Sequence, residues 1–241
     1  MKTLTFDTET TGVDTDKDRI ITCFMRAKDG DEVLFEQEWI IDPGIEIPEG
    51  ASEVHGMTTE WIRENGRKDY LEAICEIRGA IDEYATKGFI VAGYNHSFDL
   101  AILESSCREA TGGRGLYFEL ATRYLDPLII DRHIDKYRKG SRKLVDVARH
   151  YGIVVEESKA HAADYDVYLT EQLIPKVLNA AWKKLEKERV GLTPDEFLDK
   201  LQEWQKVWKA EWATHLTKYF ASVNKTEEDG SPIIVNGNFP Y

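Results

Sequence analysis

The stretch Lys2-Thr3-Leu4-Thr5-Phe6-Asp7-Thr8-Glu9-Thr10-Thr11-Gly12 decides how the chain is read. It opens as a β-run over Lys2–Asp7 and ends in a glycine-containing turn. Side chains alternate along a strand, so Asp7 and Glu9 point to one face. Two carboxylates held side by side repel. At about 4 Å and an effective dielectric near 20 the pair costs roughly 4 kcal/mol with both ionised. A shared proton, a nearby Arg or Lys, or a divalent cation would relieve that, and a solvated strand end would tolerate it.

Working outward, Arg19–Arg26 and Glu32–Asp42 read as strands, joined through Lys28-Asp29-Gly30-Asp31 as a hairpin. A loop with Pro43, Gly44 and Pro48 follows. The spacing of Leu71, Ile74, Ile77 and Ile81 predicts a helix over Asp69–Ala85. Phe89–Tyr94 is a continuous apolar run that suits a buried strand. Phe98–Ala110 reads as a helix, Tyr124–Ile130 as a strand interrupted by Pro127, and Lys143–Tyr151 as a helix stopped by Gly152. Ala163–Lys187 is a long helix with a bend expected at Pro175. Thr193 as N-cap, Pro194 at the first position and Asp195-Glu196 in the first turn start one more helix. Along it Phe197, Leu201, Trp204, Trp208, Trp212, Leu216 and Tyr219 form an aromatic stripe, which packs on its own domain or serves as an interface. Asp229–Tyr241 reads as an extended tail. The order is that of an α/β fold, a mixed sheet with helices on both faces.

Two further acidic spots join Asp7 and Glu9. In Asn95-His96-Ser97-Phe98-Asp99, Asp99 falls in the first turn of a helix that follows a strand, the sheet edge where open α/β folds carry their sites. There it also complements the helix dipole. In His161-Ala162-Ala163-Asp164-Tyr165-Asp166, His161 lies on the loop entering the long helix and Asp166 on its first turn.

Bulk properties narrow the class. The 241 residues carry 31 Lys+Arg against 44 Asp+Glu, a formal charge of −13, so the chain does not coat nucleic acid or anionic membrane by bulk charge. A nucleic-acid site must therefore be local or use metal ions. Lys136, Arg138, Lys139, Arg142 and Lys143 form one basic run that would reach phosphates. Three cysteines without CxxC spacing argue against a disulfide scaffold or a zinc site, with a reducing compartment as the expectation. With no secretory h-region and no run of 18 apolar residues, the expectation is a cytoplasmic protein with no membrane partner.

Together and in this order, the motifs resemble the DEDDh exonuclease family, the branch that includes DnaQ-like proofreading subunits of bacterial DNA polymerase III. Asp7-Thr8-Glu9-Thr10-Thr11-Gly12 matches the first motif, Asn95-His96-Ser97-Phe98-Asp99 the second, and His161 to Asp166 the third. The sibling branch needs a Tyr four residues before the last Asp, where this chain has Ala162. Glu53-Val54-His55-Gly56-Met57-Thr58 and Leu125-Asp126-Pro127-Leu128 are softer matches.

The resemblance implies an RNase H-like, five-stranded mixed sheet flanked by helices over 1–185. A C-terminal helical extension and tail over 186–241 have no counterpart in that core. It further implies that Asp7, Glu9, Asp99 and Asp166 hold two divalent cations, Mg²⁺ or Mn²⁺, and that His161 is the general base. Thr10, Thr11, Gly12, His55, Asn95 and Phe98 would meet the terminal nucleotide. The activity implied is 3′–5′ hydrolysis of single-stranded or frayed DNA ends, in proofreading, repair or degradation. Short RNA is the alternative substrate. A non-catalytic scaffold that docks a polymerase or a second copy through the 197–219 stripe is the reading from another class.

Overall fold

The computed structural model describes residues 1–112, 123–156, 162–227 and 230–240. Strand β1 (Lys2–Thr10) is the centre of a five-stranded mixed sheet. On one side it pairs antiparallel with β2 (Ile20–Asp29), which pairs with β3 (Glu32–Ile40) as the hairpin expected from the Gly30 turn. On the other side β1 runs parallel to β4 (Ile90–Ala92), and β4 parallel to β5 (Tyr124–Leu125). The order is therefore β3-β2-β1-β4-β5. Because β1, β4 and β5 are parallel, their C-terminal ends share one edge of the sheet, where groups following those strands meet.

The strand period sorts the core into two layers. Leu4, Phe6 and Val91 face one layer with Ile74 and Ile77 of α3 (Tyr70–Thr86) and Leu100 and Leu103 of α4 (Ser97–Ala110). Ile90, Ala92 and Leu125 face the other, with α6 (Leu144–His150) and α7 (Ala163–Lys184). Phe6 belongs to the first layer, so the alternation turns Asp7 and Glu9 to the side of α7.

Three expectations change. The segment after Pro43 holds two seven-residue helices, α1 (Glu49–His55) and α2 (Thr59–Asn65). The run Tyr124–Ile130 is a strand for two residues only. Asp126 then caps α5 (Pro127–Ile134), its carboxylate accepting the Leu128 amide at 2.9 Å, with Pro127 in the first turn. The tail beyond residue 230 is not a free extension. It returns along α8 (Pro194–Ser222), Val235 N donates to Thr217 Oγ1 at 3.0 Å, and Phe239 is buried in the first core layer.

Helix α8 starts on the capping box its sequence announces, with Thr193 and Glu196 exchanging hydrogen bonds. Its buried line is Phe197, Leu201, Gln205, Lys209 and Ala213, whereas Trp204, Trp208 and Trp212 flank it half-buried and Tyr219 is exposed. Two polar residues sit in that line because α8 lies along the open edge of β5. Gln205 Oε1 accepts the Asp126 amide (2.8 Å) and its Nε2 donates to Tyr124 O (3.0 Å), while Gln202 Oε1 accepts the Tyr124 amide (2.6 Å). Side-chain amides thus take the place of a sixth strand. Among the described residues no helix is long and apolar enough to cross a membrane.

Candidate active site

Asp7 and Glu9 leave the end of β1 on the face that α7 covers, and α7 carries Asp166 in its first turn. Asp99 arrives from the first turn of α4, at the end of β4. It is buried and fixed by Thr8, whose amide (3.1 Å) and hydroxyl (2.6 Å) both donate to Asp99 Oδ1. The residue between the two motif acids therefore ties the first motif to the second, a role sequence reasoning did not assign to it.

The acids feel one another. Burial first, then the charges of Asp99, Glu9 and Asp166, hold the Asp7 carboxyl well above the usual carboxylate range. Burial, then Asp166 and Asp99, push Glu9 up to about 8. Asp99 rises to about 7 by burial, with the Thr8 hydrogen bonds opposing the rise. Among the described residues no hydrogen-bond donor or cation meets the Asp7 or Glu9 carboxylates, and no three His, Cys, Asp or Glu side chains are placed close enough together to hold a metal ion. What the structure brings together is a set of hard oxygen donors, partly desolvated and mutually repelling. That donor set fits a divalent cation of the Mg²⁺ or Mn²⁺ type, which prefers carboxylate oxygen.

His161 lies outside the described residues. His55 is brought to the site: it ends α1 beside the Thr10 backbone, and its Nδ1 accepts the Met57 amide at 3.2 Å. Burial lowers its proton affinity, with the Thr10 backbone opposing. The hydroxyls of Thr10 and Thr11 are engaged inside their own turn, on Gly12 O (2.6 Å) and Asp18 Oδ1 (2.8 Å). A Cβ at Gly12 would also overlap the Asp18 carboxylate, which accepts the Thr11 hydroxyl and the Asp14 amide. Phe98 is half-buried against the first core layer. Asn95 holds a left-handed conformation (φ 59°), and its amide and that of His96 donate to Asp126 at 3.2 and 3.0 Å. The second-motif turn is thus anchored by Asp126, a residue that reads as part of a strand from sequence. Of the five-residue basic run, Arg138 and Arg142 are drawn onto the buried Asp131, which leaves Lys136, Lys139 and Lys143 facing solvent.

Gly93 precedes that turn. A methyl group there would overlap the Nδ1 of His96, a fully buried imidazole that burial keeps neutral with a pKa of about 3, and would sit 3.0 Å from Phe6 O. Gly93→Ala should therefore cost on the order of 3 kcal/mol by overpacking. A thermal melt within about 1 °C of the wild type would show that the turn yields instead.

An acid-lined C-terminal sheet edge on this topology defines a phosphodiester-hydrolase class of site. The chain matches the RNase T model, described as exonuclease, over residues 4–174, and it belongs to that exonuclease family. The DEDDh resemblance drawn from the motifs stands. PolC-type DNA polymerase III of Pediococcus pentosaceus is 26% identical over 202 residues, covering 84% of this chain and 12% of the polymerase. The same polymerase of Lacticaseibacillus paracasei is 26% identical, covering 77% of this chain and 12% of its own length. Escherichia coli Exonuclease I in complex with a dT13 oligonucleotide shares the fold with a TM-score of 0.61 at 20% identity, over 78% of this chain and 43% of that one. The chain therefore spans about an eighth of these polymerases and less than half of Exonuclease I.

Proposed function

We propose that the chain removes nucleotides from the 3′ end of single-stranded or frayed DNA, with two divalent cations held by Asp7, Glu9, Asp99 and Asp166. The observation that carries this reading is the crowding of Asp7, Glu9 and Asp99, whose raised proton affinities mark a site short of positive charge. When bound, the cations would supply charge for the attacking and leaving oxygens of an in-line displacement. Asp7, within reach of the charges of all three other acids, would hold a cation together with them. Thr8 holds the Asp99 carboxylate still, so that its orientation is set before substrate arrives. His161 takes the proton from the attacking water, a role that an ordinary imidazole suits near neutral pH. His55, neutral at that pH and set against Thr10, lies beside the terminal nucleotide. The polymerase relatives and the Exonuclease I complex with dT13 favour DNA over RNA, and the polymerase relatives favour a role next to a polymerase.

A 5′-labelled single-stranded DNA, incubated with Mg²⁺, Mn²⁺ or chelator, tests the reading. The expected result is a ladder shortening from the 3′ end, absent with chelator and slowed about 10²–10⁴-fold by His161→Ala. RNA of the same sequence should persist. Loss of RNA with DNA intact would move the substrate to RNA. No shortening of either would favour the scaffold reading.

A further inference from the structure

The fold treats Asp99 and Glu9 differently. Thr8 gives Asp99 two hydrogen bonds, from its amide at 3.1 Å and from its hydroxyl at 2.6 Å, and among the described residues no such donor reaches Glu9. The residue placed to supply one is Thr22. In the antiparallel pairing of β1 with β2, Glu9 stands directly opposite Thr22. Directly opposite residues project to one face of the sheet, with Cβ atoms roughly 4.5–5.5 Å apart. The preceding pair on β1, Thr8 and Cys23, faces the first core layer, where Cys23 is buried. Alternation therefore turns Glu9 and Thr22 together to the face of β1 and β2 on which α7 packs.

Thr22 is only 3% exposed, and among the described residues its hydroxyl has no hydrogen-bond partner. A buried hydroxyl left unpaired is costly. Valine has the same shape, suits a strand as well and carries no such cost. Packing alone therefore does not account for a threonine here. Its neighbours narrow what the hydroxyl serves. Thr22 stands between Glu9 on β1 and Ile40 on β3, and the next residue of β2 on its face is Phe24. Of these side chains only Glu9 offers an acceptor. A donor without an acceptor and a carboxylate without a donor thus occupy opposite positions of one strand pair, at the end of β1 where the acids gather. A carboxylate has two oxygens, and one that ligates a cation is commonly held by a hydrogen bond from behind.

We infer that Thr22 is a positioning residue for Glu9: when the site holds a divalent cation, the Thr22 hydroxyl donates to the Glu9 carboxylate, directly or across one water. Thr22 touches neither substrate nor cation. It acts through Glu9 as Thr8 acts through Asp99, so that threonines on β1 and β2 orient two of the four acids. The assignment rests on the metal reading of the site.

The test is Mn²⁺ binding by titration calorimetry on the full chain, for the wild type, Thr22→Val, Thr22→Ser and Thr5→Val. Thr5 is the control: its buried hydroxyl also lacks a partner and it shares the strand face of Glu9, but it stands opposite Arg26 and Ala92. Thr22→Val should bind Mn²⁺ about tenfold more weakly, the usual cost of removing a hydrogen bond behind a metal ligand, whereas Thr22→Ser should stay within about threefold of wild type and Thr5→Val within about twofold. In chelator Thr22→Val should melt no lower than the wild type, because without the cation its hydroxyl has no bond to lose. Mn²⁺ affinity of Thr22→Val within about twofold of wild type overturns the proposal, as does an equal loss in Thr5→Val, which would trace the effect to sheet packing. A Thr22→Val melt about 5 °C lower in chelator also overturns it, since the hydroxyl would then serve the metal-free fold. A wild type that binds no Mn²⁺ fails the metal reading, and the role of Thr22 falls with it. A wild type that binds Mn²⁺ no better than Thr22→Val does leaves the metal reading standing and removes Thr22 alone.

Discussion

Asp7→Asn is expected to abolish hydrolysis, by at least about 10³-fold, and at the same time to raise the melting temperature of the metal-free protein. The two effects have one cause. Asp7 lies within the field of Asp99, Glu9 and Asp166, and its carboxyl is held far above its ordinary range by burial and by those charges. Removing the charge while keeping the shape takes away a candidate metal ligand and a source of repulsion together. The sign with pH follows from linkage. These acids bind protons more tightly in the folded than in the unfolded state. Their contribution is therefore fully present below the ordinary carboxylate range, and it is lost as pH rises through the folded values, about 7 for Asp99 and about 8 for Glu9. In chelator the wild type should melt progressively lower between pH 6 and pH 9, and Mg²⁺ should recover most of the loss, since a ligand that binds only the folded state stabilises it. Asp7→Asn should flatten that slope and melt about 5 °C higher at pH 9, corresponding to roughly 2 kcal/mol for a chain of this size. A variant that melts below the wild type at pH 9 in chelator, with the slope unchanged, would remove the crowding argument and with it the main support for a metal site here.

What could be read from the chain differs by element for physical reasons. β1, the hairpin and α3 carry strong periods over nine residues or more, and their observed ranges fall within a few residues of the expected ones. The motif acids were legible because strand alternation and a helix's first turn each fix where a carboxylate goes. The α1 and α2 helices were not, since seven residues hold too few apolar positions to show a period. At Asp126-Pro127 two signals competed. The apolar run from Tyr124 suggested strand, whereas an N-cap acid followed by Pro suggested a helix start, and the helix start prevailed. The stripe on α8 packs on its own domain, with Phe197 and Leu201 buried and Trp204 and Trp208 against the second core layer, but hydropathy did not show that Gln205 and Lys209 share its buried line, opposite the unpaired backbone of β5 and the Asp126 carboxylate. A need for hydrogen bonds at a sheet edge leaves no trace in hydropathy. Thr8 and Asp126 were missed likewise: each acts on a neighbouring motif through contacts between residues far apart in the chain.

Gln205→Met should destabilise the protein strongly. The side chain keeps its length and loses both hydrogen-bonding groups. Tyr124 O and the Asp126 amide, both buried, are then left without partners at about 1–3 kcal/mol each. A loss on the order of 4 kcal/mol, or roughly 10 °C in melting temperature, is expected. Glu203→Ala, exposed on the same helix, should change the melt by less than about 2 °C. If Gln205→Met also melts within 2 °C of the wild type, α8 does not seal the sheet edge as described. The effect should reach further than stability. Asp126, whose amide Gln205 holds, is the residue that fixes the Asn95–His96 turn, and that turn starts the helix carrying Asp99. A loosened β5 edge therefore displaces a candidate metal ligand through a chain of three hydrogen-bonded groups. At a temperature where the variant remains folded, its hydrolytic rate should still fall severalfold, and its Mn²⁺ affinity should fall with it. A helix that lies outside the core common to the fold would then be part of what positions the acid cluster, which explains why its buried face carries a glutamine and a lysine where packing alone would favour leucine.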